Sequence, residues 1–106
     1  MKTNNTKRHS LQQKTVLIDY DEDVFTFFLD TSEHKTAQIL WIYKDIEYSN
    51  PVFVKKISDI EIILEWVTPK KNIISKYINL QNNEVSCVYY NLDGAEKHTG
   101  RISKIS

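Results

Sequence analysis

The sequence predicts a mostly β fold, a single antiparallel domain of about seven or eight strands that forms a curled sheet, a sandwich or a small barrel. Three observations support this prediction. Between residues 15 and 105, short runs rich in β-branched and aromatic residues are separated by short polar segments. Residues 59–67 alternate between apolar and polar side chains, and an Asp93-Gly94 pair near the end is typical of a β-hairpin turn. With 106 residues, the chain has the length of one domain.

The first predicted strands are residues 16–18 and 24–29, which consist almost entirely of β-branched, aromatic and leucine side chains. The acidic segment 19–23 separates them and is predicted to be a turn. In the second half, residues 59–67, 73–80, 84–91 and 98–105 are predicted strands, joined by turns rich in asparagine, aspartate and proline. These four strands form a predicted antiparallel meander.

The segment 32–48 is ambiguous. Ile39, Ile42, Tyr43 and Ile46 fit the spacing of a helix, whereas alternate residues in the same segment fit a strand. The isoleucine and aromatic content favours a strand. The alternative is an α+β fold with one helix near residues 32–48.

Composition and charge indicate an ordinary globular chain. Basic and acidic residues balance at 14 each, and hydrophobic residues make up 41%. Residues 1–14 are polar and are predicted to form a flexible N-terminal tail, followed by one β-rich domain at 15–106. Neither a secretory signal nor a run of roughly 18 apolar residues is found. The single cysteine, Cys87, excludes an internal disulfide, so we predict a cytoplasmic protein.

No motif in the sequence indicates a catalytic, cofactor or metal site. Asp19, Asp21 and Asp23 have the spacing of the first calcium ligands of an EF-hand loop, but Val24 occupies the position that requires glycine. The histidines are His9, His34 and His98, and none has a second ligand at the spacing of a zinc site. Glycine-rich phosphate loops and serine nucleophile elbows are missing as well. We therefore predict a protein that is not an enzyme, with no cofactor and no metal.

The charges are distributed unevenly along the chain. Residues 1–18 carry four basic and no acidic side chains, while residues 19–47 carry eight acidic side chains and two lysines. An acidic surface on a rigid scaffold attracts a basic partner. The first hypothesis is a non-enzymatic protein-binding module, a small inhibitor, immunity protein or antitoxin that blocks a basic surface or active site. Its predicted partner-binding residues are acidic: Asp19, Asp21, Glu22, Asp23, Glu33, Asp45 and Glu47.

Two alternatives come from other classes of protein. A single-stranded nucleic-acid binder would place lysines and stacking rings on one sheet face. Its residues would be Lys70, Lys71, Lys76, Tyr77, Tyr89 and Tyr90. A small-ligand-binding barrel or an enzyme would instead place its site inside a closed barrel, and a buried cluster of Cys87 with His34 or His98 would support it. The alternation of Cys87 with Val85 and Tyr89 on one strand predicts that Cys87 is a core residue. No membrane partner is predicted, and the sequence does not define the oligomeric state.

Overall fold

The computed structural model describes residues 11–21, 23–31 and 37–106, and these residues form strands and turns without a helix. The predicted antiparallel all-β domain is confirmed, with eight strands in the described residues. The strands are β1 (Thr15–Asp19), β2 (Val24–Asp30), β3 (Ala37–Tyr43), β4 (Ile46–Lys56), β5 (Glu61–Val67), β6 (Ile73–Asn79), β7 (Glu84–Asn91) and β8 (Gly94–Ile105).

The sheet closes into a barrel. Each strand pairs antiparallel with the next along the chain, and β1 also pairs with β8. A register shift between Leu17 and Ile18 accommodates the closing pair. Two further hydrogen bonds join the start of β1 to the residue after β8. The amide of Thr15 donates to Ser106 O at 2.8 Å, and the amide of Ser106 donates to Thr15 O at 2.9 Å. A barrel of eight strands has an interior that side chains can fill.

Strict alternation along the strands separates the interior from the surface. On β2, Phe25, Phe27 and Leu29 point inward and are buried, while the residues between them point outward. The same alternation is present on β1 and on β3 to β7, whereas β8 is largely exposed and contributes Ile102 to the core. The buried core comprises Leu11, Val16, Ile18, Phe25, Phe27, Leu29, Ile39, Trp41, Val52, Leu64, Trp66, Ile74, Ile78, Val85, Cys87 and Ile102.

The ambiguous segment forms a β-hairpin, so the alternative of a helix near 32–48 is wrong for residues 37–48. Residues 32–36 lie outside the described part of the chain. Lys44 and Asp45 form the turn with φ angles of 51° and 65°, the left-handed geometry that suits a two-residue hairpin. The stacked rings of Trp41 and Tyr48, 4.1 Å apart, join the two strands. The cross-strand packing of this hairpin therefore determines its structure, although four of its residues also fit the spacing of a helix.

The described chain packs against the barrel from Leu11 onward. Leu11 is only 2% exposed and belongs to the core. The amide of Gln13 donates to Leu29 O at 2.7 Å, and its side-chain oxygen accepts from the amide of Thr31 at 2.7 Å. The segment 11–14, assigned from its polar sequence to the N-terminal tail, is therefore tied to β2 by a buried leucine and by backbone bonds. Residues 1–10 of the predicted tail lie outside the described residues.

The last hairpin extends beyond its neighbour. Strand β8 begins at Gly94, four residues earlier than predicted, and the turn consists of Leu92 and Asp93. Strand β1 ends at Asp19 opposite Arg101, so its pairing with β8 covers only the last part of that strand. The first half of β8 therefore has no partner strand on the side of β1, and we call the space beside it the notch. The residue that follows β1, Tyr20, lies in this notch.

Tyr20 fills this notch because Gly100 has no side chain. A Cβ atom at Gly100 would lie 2.7 Å from Asp19 O and 2.7 Å from Tyr20 Cδ1. Both distances are far shorter than van der Waals contact, and the first involves backbone. Gly100 thus allows the aromatic ring of Tyr20 to lie against β8 and to point into the barrel.

We predict that Gly100→Ala lowers the free energy of unfolding by about 1–3 kcal/mol, the range typical of an overpacked site. Urea denaturation measures this change. Thr99→Ala is the matched control, because the neighbouring side chain is exposed. Equal stability of Gly100→Ala and the control would contradict the described packing of Tyr20.

Candidate functional site

The structure describes five of the seven predicted acidic residues, and Glu22 and Glu33 lie outside the described residues. Asp19 ends β1, Asp21 and Asp23 lie in the β1–β2 turn, and Asp45 and Glu47 lie in or beside the β3–β4 turn. Consecutive strands run in opposite directions, so these two turns are at the same end of the barrel. Among the described residues, no ion pair joins these five carboxylates to a basic side chain.

The β1–β2 turn is held by its own hydrogen bonds. Asp19 Oδ1 accepts from the amide of Asp21 at 3.1 Å, and the amide of Tyr20 donates to Asp23 O at 2.9 Å. In the part of the chain that the structure describes, no three histidine, cysteine, aspartate or glutamate side chains are grouped to hold a metal ion. Asp19, Asp21 and Asp23 are exposed.

Two of the acids flank an apolar surface on the outside of β1 to β4, which we call the outer apolar face. Asp19 is opposite Val24 on one side, and Ile42 is opposite Glu47 on the other. Val24, Leu40 and Ile42 are 55%, 43% and 40% exposed. The face comprises Leu17, Val24, Thr26, Phe28, Leu40 and Ile42, which the strand registers place side by side.

The residues of the nucleic-acid alternative do not share one face. Tyr77 points outward, and its hydroxyl donates to Glu61, which lowers the pKa of that carboxyl and raises the pKa of the tyrosine. Tyr89 points inward and accepts a hydrogen bond from Asn72 Nδ2 at 2.7 Å. Lys76 is buried inside the barrel. The remaining three, in a turn or on the outer surface, are Lys70, Lys71 and Tyr90.

Lys76 is the unexpected residue of the barrel. It lies at the centre of β6 between Ile74 and Ile78, both buried, and is 2% exposed itself. Its neighbours across the sheet are Leu64 on β5 and Cys87 on β7. Strand alternation directs its side chain inward, where a lysine is rare because the ammonium loses its hydration.

The amine of Lys76 has two polar contacts and three aromatic ones. Nζ donates to Tyr20 Oη at 2.6 Å and to Cys87 Sγ at 3.4 Å. It lies 4.0 Å from the ring centre of Phe25, 4.8 Å from that of Tyr20 and 6.0 Å from that of Trp66. The faces of aromatic rings attract a cation and partly replace water around it.

Burial determines the electrostatics of this cluster. It lowers the pKa of the Lys76 amine and raises the pKa of the Tyr20 hydroxyl. The neighbouring Cys87 raises both pKa values, so it offsets part of the effect of burial on Lys76 and adds to the effect on Tyr20. No carboxylate of the described residues forms an ion pair with Lys76. A buried amine without a counter-ion is held toward its neutral, nucleophilic form.

Trp66 contributes a polar group without a partner. Its indole nitrogen Nε1 is buried and makes no hydrogen bond within the described structure, although the ring is packed against Phe25 and Trp41. By contrast, Trp41 Nε1 donates to Asn50 Oδ1 at 2.8 Å. A buried donor that lacks an acceptor costs about 1–3 kcal/mol, so the cluster around Lys76 contains unused binding capacity.

Cys87 is buried in the core, and Lys76, which the nucleic-acid alternative places on a sheet surface, is buried inside the barrel as well. The signal was present, since Lys76 occupies the same strand face as Ile74 and Ile78. It was outweighed by the general rule that lysine lies on the surface. Among the described residues, Cys87 contacts Lys76, while His98, its cross-strand neighbour on β8, is exposed and lies beside Glu96. The other two histidines, His9 and His34, lie outside the described residues.

Comparisons with known proteins support the fold. No model of a protein family matches the chain, and no curated protein sequence matches it. A solved structure from Burkholderia vietnamiensis, described as a "putative beta-lactamase", superposes with a TM-score of 0.77. The match covers 91% of this chain and 95% of that chain at 9% sequence identity. At this identity the likeness shows the fold alone. Among the described residues, no helix has the length and apolar character needed to cross a membrane.

We predict that replacing Lys76 with methionine stabilises the protein at pH 7 by about 1–4 kcal/mol, since apolar replacement of buried charge has effects of this size. The unfolded chain keeps the lysine proton up to about pH 10.5, whereas the barrel releases it at lower pH. The unfolded state thus binds more protons, and wild-type stability rises with pH in this window. The advantage of Lys76→Met should therefore shrink by pH 10.

Urea unfolding of both proteins at pH 7 and pH 10 measures this difference. The titratable groups that contact Nζ are Tyr20 and Cys87, while β2 and β5 present Phe25 and Trp66. Lys97→Met, on the exposed part of β8, is the control for a general loss of lysine charge. An advantage of Lys76→Met that is the same at both pH values would contradict the lowered pKa.

Proposed function

We propose that the protein is a non-enzymatic protein-binding module that acts in the cytoplasm by covering a basic surface or active site of another protein. Inhibitors, immunity proteins and antitoxins act in this way, and we propose that the protein is one of them. The observation that carries the proposal is the outer apolar face with Asp19 on one side and Glu47 on the other.

The exposed apolar side chains support binding to another protein. Val24, Leu40 and Ile42 lie on neighbouring strands and are each at least 40% exposed. Contiguous apolar surface with a polar rim is typical of protein interfaces, whereas isolated exposed apolar residues need no explanation. Because the barrel is closed, this surface is rigid, and little conformational entropy is lost in ordering it when a partner binds.

The charges indicate the chemistry of the partner. Five described carboxylates lie in or beside two turns at one barrel end. The basic residues near them are Lys44 in the second turn, Arg101 opposite Asp19 on β8, and Lys70 and Lys71 in the β5–β6 turn at the same end. The whole chain is nevertheless neutral, so the acidic field is local. Such a field accelerates the approach of a surface rich in lysine and arginine. A partner with an apolar centre and a basic rim would complement the face.

The cytoplasmic location rests on the cysteine. Cys87 is free and buried, and the barrel is held by packing and by strand pairing. A fold of this kind is suited to a reducing compartment.

The experiment has two steps. The tagged protein is incubated with nuclease-treated lysate of its own cells, and a stoichiometric protein that is captured is then purified. Its binding to the wild type and to variants is measured by surface plasmon resonance. Leu40→Ser with Ile42→Ser should raise the Kd at least about tenfold, the loss expected for central apolar contacts.

Asp19→Asn with Glu47→Gln should act differently, slowing association about tenfold at low ionic strength and reducing its salt dependence. Asparagine at position 19 keeps the oxygen that accepts from Asp21. Val67→Ser, which removes an exposed apolar side chain on β5, is the matched control. The proposal would be overturned if neither double variant changed binding. It would also be overturned if a parallel capture from lysate without nuclease treatment recovered nucleic acid and no protein partner.

A further inference from the structure

The cluster around Lys76 has no role in the proposed binding of a protein partner. It lies inside the barrel, while the outer apolar face lies on the opposite side of the sheet. A buried lysine without a carboxylate partner reduces stability, so a fold that used this position only for packing would do better with an apolar residue. The chemistry of the cluster therefore needs an explanation of its own.

Three properties of the site define what it could bind. The Lys76 amine is held toward its neutral form, which is the form that attacks a carbonyl carbon. The amine lies against the rings of Phe25 and Trp66, which pack against each other and against Trp41. The buried Nε1 of Trp66 has no hydrogen-bond partner within the described structure.

Tyr20 is the group that could give access. Its ring lies in the notch against Gly100, and its hydroxyl contacts Lys76 Nζ at 2.6 Å. It belongs to the short connection between β1 and β2 rather than to a strand, and its neighbours Asp19, Asp21 and Asp23 are exposed. Rotation of this one side chain toward solvent would uncover the amine and vacate a space of the size of one phenyl ring.

We propose that Lys76 is a covalent binding site for a small aromatic aldehyde, which enters where Tyr20 lies and forms an imine with the lysine. In this step the neutral amine attacks the carbonyl carbon, and a carbon–nitrogen double bond replaces the carbon–oxygen double bond. The aldehyde oxygen leaves as water with the two amine protons, and no oxidant or reductant is needed. The aromatic ring of the ligand then packs against Phe25 and Trp66.

An aldehyde fits this site better than a carboxylate or an aliphatic ligand. A carboxylate would lose its hydration among the aromatic rings, and it would form an ion pair with Lys76 rather than the covalent bond proposed for the neutral amine. A flat ring matches the stacked arrangement of Phe25 with Trp41 and Trp66.

The test uses benzaldehyde as the probe. The folded full-length protein is incubated with benzaldehyde at pH 7, and the imine is reduced with sodium cyanoborohydride to a stable benzylamine. Intact-mass spectrometry counts the adducts, and peptide mapping locates them. We expect Lys76 to be the dominant labelled lysine, because burial lowers its pKa and so raises its neutral fraction at pH 7. Peptide mapping separates this adduct from one on the α-amino group.

Variants separate the proposal from general amine reactivity. Lys76→Met should remove the adduct that peptide mapping locates at position 76, whereas Lys97→Met should leave the labelling of Lys76 unchanged. Tyr20→Ala should increase the rate of labelling at Lys76, since it removes the covering ring. Circular dichroism and urea unfolding show whether each variant is folded, and hexanal serves as the non-aromatic aldehyde, with slower labelling expected.

Adducts distributed over the exposed lysines, or a yield that Lys76→Met does not change, would overturn the proposal. It would also fail if folded wild type and folded Tyr20→Ala both remained unlabelled at Lys76. These outcomes are independent of partner capture, which uses the outer apolar face, so either proposal can fail without the other.

Discussion

The pairing of β1 with β8 is the constraint on which the rest of the structure depends. It closes the sheet, and closure divides the side chains of every strand into an interior set and an exterior set. In an open sheet, a strand edge would be available for pairing with other chains. In the closed barrel, function must come from side chains on the outer surface, at the barrel ends or in the interior.

Closure gives the two faces of the same strands opposite chemistry. On β2, Phe25 points inward to the lysine amine, while Val24 points outward beside Asp19. The interior thus carries a basic group among aromatic rings, and the outer surface carries apolar groups beside acids. Tyr20 is the one link between the two regions, because it follows the acidic end of β1 and reaches Lys76 through the notch that Gly100 leaves open.

Much of the fold could be predicted because alternation and turn chemistry are local properties. The strand at residues 59–67 and the meander after it follow directly from the pattern of isoleucines, glutamates and turn residues. The hairpin at residues 37–56 was harder, since Lys44 and Asp45 adopt left-handed conformations without the usual glycine. Its formation depends on Trp41 and Tyr48 meeting across the strands, which a single pass along the sequence does not reveal.

The candidate sites were only partly predictable. Acidic residues were recognised from charge counting, but the apolar surface between Asp19 and Glu47 depends on strand register, which brings Leu17, Thr26 and Ile42 into one row. The contact of Lys76 with Tyr20 spans 56 positions in the sequence. This contact could be predicted only from three facts together: the barrel is closed, β1 ends at Asp19, and Gly100 has no side chain to exclude the Tyr20 ring. Local patterns carry none of this information.

The most direct test of this account is a pH titration of Lys76 by NMR, with ¹³C-labelled lysine and the Lys76→Met variant to assign its Cε signal. The account predicts a midpoint clearly below 10.5, the ordinary value for lysine, because the amine is buried among aromatic rings. A midpoint at or above 10.5 would mean that the amine is hydrated or paired with an acid, and would contradict the closed interior on which both sites are based.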